Sequence, residues 1–134
     1  MSEDFTATTN GVRVSVRAFF LPDRSKPEDS QFFWAYRVRI ANEGTAPVQV
    51  MARTWLITDA AGRTQRVHGE GVIGQTPVIA PGGTFEYTSG TPLSAPSGIM
   101  HGQYHVVEPA SGAKFDVAIP AFSLDSPHQT GRVH

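Results

Sequence analysis

Val12, Val14 and Val16 alternate with Arg13, Ser15 and Arg17. This period-two pattern predicts a strand from Gly11 to about Phe20 with one face toward an apolar core. Leu21–Ser30 carries Pro22, Pro27 and several charges and reads as an exposed loop. From Phe32 to Ile40, Trp34, Tyr36, Val38 and Ile40 fall on one side and Arg37 and Arg39 on the other, a core strand with a wet outer face. Asn42–Thr45 supplies turn chemistry, and Val48–Thr58 is rich in branched and aromatic residues. Its inward face is contested, because Met51, Trp55 and Ile57 compete with Val48, Val50 and Leu56. Either a bulge shifts the register midway or both faces are covered.

Asp59–Gly62 turns the chain into Arg63–His68, and a glycine-rich loop follows. Thr84–Ser89 alternates again, and Gly90 and Pro92 end it before a crossover from Thr91 to Pro96. Gly98–Glu108 and Lys114–Ile119 form a hairpin about Pro109–Gly112. Pro120–Leu124 closes the pattern with apolar anchors, and Asp125–His134 reads as a loose polar tail. The sum is about seven or eight short strands with Gly/Pro turns and no helix of ordinary length. This predicts an all-β antiparallel sandwich of fibronectin type III or immunoglobulin style, in preference to a barrel. A single domain is expected over residues 1–134, with its core from about 10 to 125 and flexible tails.

Composition narrows the function. A chain of 134 residues buries about two-thirds of its unfolded surface and holds a core without staples. It has no cysteine, which removes disulfides, thiolate metal sites and a cysteine nucleophile. Net charge is -1, and Lys26 and Lys114 are the only lysines, so nucleic-acid binding is not expected. Arg13/Arg17 and Arg37/Arg39 read as a solvated outer face. No leader pattern or long apolar run appears, so no membrane association is expected and a cytoplasmic protein is the default.

Gly69, Gly71 and Gly74 form a G-x-G-x-x-G within His68–Pro77. A dinucleotide site needs a helix after such a string, and Pro77, Pro81, Gly82 and Gly83 forbid one here. A kinase-like loop would need a lysine and metal-binding aspartates that have no recognisable counterparts. Two readings remain. The glycines either form an anion nest of converging N–H groups, with Arg53, Arg63 or Arg66 balancing charge, or serve a shaped loop, which is glycine's commoner role. His101 and His105 have a metal-like spacing only on a helix; on a strand they stand about 13 Å apart. A ligand from another strand, such as His68, could pair with one of them, although nothing in the sequence requires it, and His128 and His134 lie in the tail. No metal site, cofactor or catalytic set is assigned. Ser89 and Ser97 read as turn residues, and Phe32 or Phe33 is the candidate exposed aromatic.

Several strings together resemble the ApaG family over residues of about 10 to 125. They are Tyr36-x-Val38-x-Ile40-x-Asn42, Arg53-x-Trp55-x-Ile57, Val67 through Gln75-x-Pro77, Pro81-Gly82, Phe85-x-Tyr87-x-Ser89-Gly90, Gly98-x-Met100-x-Gly102-x-Tyr104 and Phe115-x-Val117-x-Ile119-Pro120-x-Phe122. The resemblance implies a fibronectin type III-like sandwich. It also implies a genetic link to cobalt tolerance and magnesium efflux in bacterial members, and a partner-binding role for the similar domain in eukaryotic proteins. It brings no catalytic residue set, and only a suspected phosphate role for Gly69, Gly71 and Gly74. The expectation is a non-enzymatic protein-interaction module with an unidentified protein partner. The alternative is a pyrophosphate or nucleotide sensor, with a weak phosphate-containing ligand at the glycine loop.

Overall fold

The computed structural model describes residues 4–128. Nine strands run in the order β1 (Phe5–Thr9), β2 (Val12–Phe20), β3 (Phe32–Asn42), β4 (Val48–Asp59), β5 (Thr64–Glu70), β6 (Val78–Ile79), β7 (Thr84–Leu93), β8 (Gly98–Glu108) and β9 (Ala113–Leu124). The described residues thus contain more strands than the sequence pattern predicts. β1 and the two-residue β6 are the additions, and β7 runs on through Gly90 and Pro92, where a crossover was expected. Proline is tolerated there because β7 is an edge strand. The expected loop from Leu21 to Ser30 holds two short 3-10 turns, Pro22–Arg24 and Pro27–Asp29.

The strands make two antiparallel sheets, β1-β2-β3-β7 and β5-β4-β8-β9, with β6 also paired to β4. They face each other as an antiparallel β-sandwich. Alternation decides which residues meet between them: Val12, Val14, Val16, Trp34, Tyr36, Val38 and Ile40 from one sheet, and Val48, Val50, Trp55, Ile57, Met100, Tyr104, Val117 and Phe122 from the other, are all buried. The contested face of β4 is resolved by a bulge, since the β4–β8 register shifts between Val50 and Ala52. Val48 and Val50 point inward before it, and Trp55 and Ile57 point inward after it.

One side of the sandwich is shut, because β1 and β2 lie against β9 and the Ala118 N–H donates to Thr9 Oγ1 at 3.1 Å. The other side, between the edge strands β5 and β7, holds a cleft. The start of the expected loose tail is tied down. The Trp34 indole N–H donates to the Asp125 carbonyl at 2.8 Å, Ser126 Oγ donates to the Pro96 carbonyl at 2.6 Å, and the His128 ring packs edge-on to Phe20 and tilted against Phe32. Residues 129–134, including His134, lie outside the described residues.

Asn42 is expected from sequence to be a turn residue, yet it is 1% exposed at the end of β3. Its Nδ2 donates to the carbonyls of Ala46 and Ile79 at 2.8 and 2.9 Å, and its Oδ1 accepts from the Gly44 N–H at 3.0 Å. It joins β3 to β6 and to the turn before β4. Asn42→Ala strands these groups and should cost about 1–3 kcal/mol. Urea denaturation should show a lower midpoint with an unchanged slope.

Candidate functional site

β5 and β6 pair with the same edge of β4, β5 with residues Ala52 to Thr58 and β6 with Val48 and Gln49. Residues 71–77 are the excursion between them, and it leaves opposite the bulge of β4. Both feet are stapled to that bulge: the Gly71 N–H donates to the Met51 carbonyl at 2.7 Å and the Val50 N–H to the Pro77 carbonyl at 3.0 Å. Within the excursion Val72 and Gln75 exchange both backbone bonds, at 2.8 and 2.9 Å. Ile73 and Gly74, between them, have φ of +43° and +78°. Positive φ at both central positions is what a type I′ hairpin turn requires.

Each glycine of the string now has a place. Gly69 sits on β5 opposite Arg53, and a Cβ there would stand 2.5 Å from Arg53 Nη1. Gly71 has φ of +65°, and a Cβ would collide with the Gln75 carbonyl oxygen. Gly74 occupies the turn. The N–H groups of Gly71, Val72 and Gln75 are donated to backbone carbonyls, so these three amides are engaged within the fold. The three candidate arginines separate. Arg63 pairs with Asp59 at 3.1 Å and donates to Ser94, and Arg66 lies opposite Leu56 on the outer face. Arg53 alone points between the sheets.

Arg53 has the parity of Trp55 and Ile57, so its guanidinium enters the cleft between β5 and β7. Nη1 donates to the carbonyls of Glu70 and Gly71 at 3.0 and 3.1 Å. The cleft has a volume of about 290 Å³, with Trp55, Ile57, Val67, Ile73 and Met100 among its apolar walls. Tyr36, Gln65, Tyr87, Ser89 and Thr91 supply neutral polar groups.

The histidines give a different result. His101 and His105 share β8 and do not meet, but His68 and His105 come together, with ring centroids 5.6 Å apart. Thr54 Oγ1 lies between them, 2.8 Å from His68 Nδ1 and 2.8 Å from His105 Nε2. His105 Nδ1 reaches Asp116 Oδ1 at 2.7 Å. The sequence of groups Asp116–His105–Thr54 is that of an activated nucleophile. Thr54 is 8% exposed, however, and its oxygen engages two imidazoles at once. This chain ties β5, β4, β8 and β9 together rather than presenting an attacking oxygen. Among the described residues no three metal-ligating side chains converge. Phe32 is buried, which corrects its candidacy as an exposed aromatic, while Phe33 is half-buried.

Comparison with known proteins decides the family. The model of the ApaG domain matches residues 22–108. The chain belongs to the ApaG family. It is 55% identical to Protein ApaG of Paramagnetospirillum magneticum over 97% of this chain and 99% of the relative. It is likewise 55% identical to Protein ApaG of Rhodospirillum centenum, over 96% of this chain and 98% of the relative. The crystal structure of the putative ApaA protein from Bordetella pertussis matches with a TM-score of 0.83 and 47% identity, covering 92% of this chain and 97% of that one.

The ApaG strings have physical roles in this sandwich. Tyr36-x-Val38-x-Ile40, Arg53-x-Trp55-x-Ile57 and Phe85-x-Tyr87-x-Ser89 are the inward-facing positions of β3, β4 and β7. With Tyr104 of β8 they bring the three tyrosines of the chain near one another, and the hydroxyls of Tyr87 and Tyr104 are hydrogen-bonded. Burial is the largest cause raising all three phenols above their ordinary 10.0, while the Arg53 charge partly opposes it. The folded state therefore keeps protons that the unfolded chain releases. The tyrosines leave stability intact below a pH of about 10 and lower it as pH rises through their folded values. Ultraviolet titration should show no phenolate step at the ordinary tyrosine pKa; phenolate should appear together with loss of the folded circular-dichroism signal.

Proposed function

We propose that this ApaG protein is a non-enzymatic interaction module that engages a protein partner along the β5–β6 edge. Exposed apolar surface carries the reading. Among the described residues, Met51, Ile73, Val78 and Ile99 are the large hydrophobic side chains left in solvent, at 42%, 52%, 59% and 51%. Three of these four sit on neighbouring segments, the bulge of β4, the hairpin tip and β6, with Met51 turned toward a groove beside His105 and Phe115 and Ile73 toward the cleft. Ile73 is also a β-branched residue at φ +43°, a conformation that costs about 1–3 kcal/mol and is retained where function requires it.

A hairpin already fixed by backbone bonds loses little entropy when a partner closes on it. β5 adds an edge to which an extended peptide can pair. The relatives are named as ApaG proteins and not as enzymes, in keeping with the engaged geometry of Thr54. On this reading the module works in the cytoplasm, and cobalt tolerance and magnesium efflux follow from the partner it holds.

The immobilised protein, at physiological salt, should retain a reproducible partner from extract of its own cells. Met51→Asp combined with Val78→Asp should weaken retention by about tenfold or more. Thr8→Asp, on the exposed face of β1, should leave it unchanged. Absence of a partner, or equal loss in both variants, would contradict the reading.

A further inference from the structure

Arg53 presents a charge problem that the partner surface does not solve. It occupies an inward-facing position of β4, flanked on that face by Trp55 and Gly69's open backbone. The ion pairs among the described residues join Arg13 to Glu43, Arg17 to Asp4, Arg39 to Glu86, Arg63 to Asp59 and His105 to Asp116. Arg53 is in none of them. Its two carbonyl partners are both taken by Nη1, so the remaining guanidinium donors stay available for an oxygen ligand. A cation drawn toward a low-dielectric interior gains most from a counter-ion there.

We propose that the cleft between β5 and β7 binds a small organic monoanion, its carboxylate received by Arg53 and its apolar body lying against Trp55, Ile57 and Ile73. Charge selects the class. One guanidinium balances one carboxylate, whereas the other polar groups lining the cleft, Tyr36, Gln65, Tyr87, Ser89 and Thr91, are neutral. A phosphate or pyrophosphate would bring excess negative charge into a site with no second cation among its lining residues. Size agrees with this. A cavity of about 150 Å³ holds benzene, so about 290 Å³ accepts a ring with a carboxylate on a short arm. The apolar walls with a few convergent polar groups are those of a ligand pocket. Gly69 is part of the design, because any side chain at that position would meet the guanidinium.

The two readings share Ile73, but Met51 and Val78, whose substitution tests the partner edge, lie outside the cleft lining, so failure of one is distinguishable from failure of the other. The test is an NMR titration of nitrogen-15-labelled protein with phenylacetate, its neutral isostere phenylacetamide, and inorganic phosphate. Phenylacetate should give saturable shifts of the Trp55 indole and of Gly69, Gly90 and Thr91 amides. Phenylacetamide and phosphate should bind at least about tenfold more weakly. Arg53→Gln should abolish the preference for phenylacetate over phenylacetamide. The isostere comparison on the unmodified protein stands even if Arg53→Gln fails to fold. No saturable shift with phenylacetate, equal binding of acid and amide, or tighter binding of phosphate would each overturn the proposal.

Discussion

A guanidinium facing the space between two apolar sheets must find oxygen atoms, and the way Arg53 finds them organises an entire edge of this sandwich. Glu70 and Gly71 present their carbonyls to Nη1 only because β5 ends beside the bulge of β4. Gly69 leaves the space in which the guanidinium lies. With the bulge and the arginine in place, the chain leaves the sheet at Gly71 and returns at Pro77, carrying the hairpin between. The cleft and the exposed hairpin tip are therefore two faces of one solution to a half-buried charge.

The glycine string takes its meaning from that solution. Its spacing is the one used elsewhere to bring backbone amides to a phosphate, but amides can bind an anion only if they are not spent on the fold. Here Gly71 bonds to Met51, and Val72 and Gln75 bond to each other. Three glycines serve three separate constraints: room for a side chain, close approach of a carbonyl, and positive φ in a turn. The charge available for a ligand resides on the arginine across the strand pair.

Much of the fold was legible because alternation is a property of the buried surface itself. Val12 to Val16 and Trp34 to Ile40 are inward exactly as their period implies, and β4's ambiguity was the trace of a real bulge. β1 was missed because Phe5–Thr9 offers only Phe5 and Ala7 as apolar inward residues, although Asn10-Gly11 is a strong hairpin signal for the turn that follows it. β6 is too short for any period to show. The site was legible only in part. Arg53 shares the parity of Trp55 and Ile57, which marks it as inward-facing, but nothing local says that the opposite edge is open. The contact of His68 with His105 through Thr54 joins three strands; the sequence offers His68 as a partner for a β8 histidine, but neither which one nor the threonine between them.

The central claim is that Arg53 is held between the sheets by the carbonyls of Glu70 and Gly71. Nitrogen-15 NMR of the arginine side chains tests it most directly. A guanidinium fixed by two bonds at Nη1 should rotate slowly and show separate Nη1 and Nη2 resonances, while Arg24 and Arg66 give single averaged signals. An averaged, fast-exchanging Arg53 signal would contradict the account.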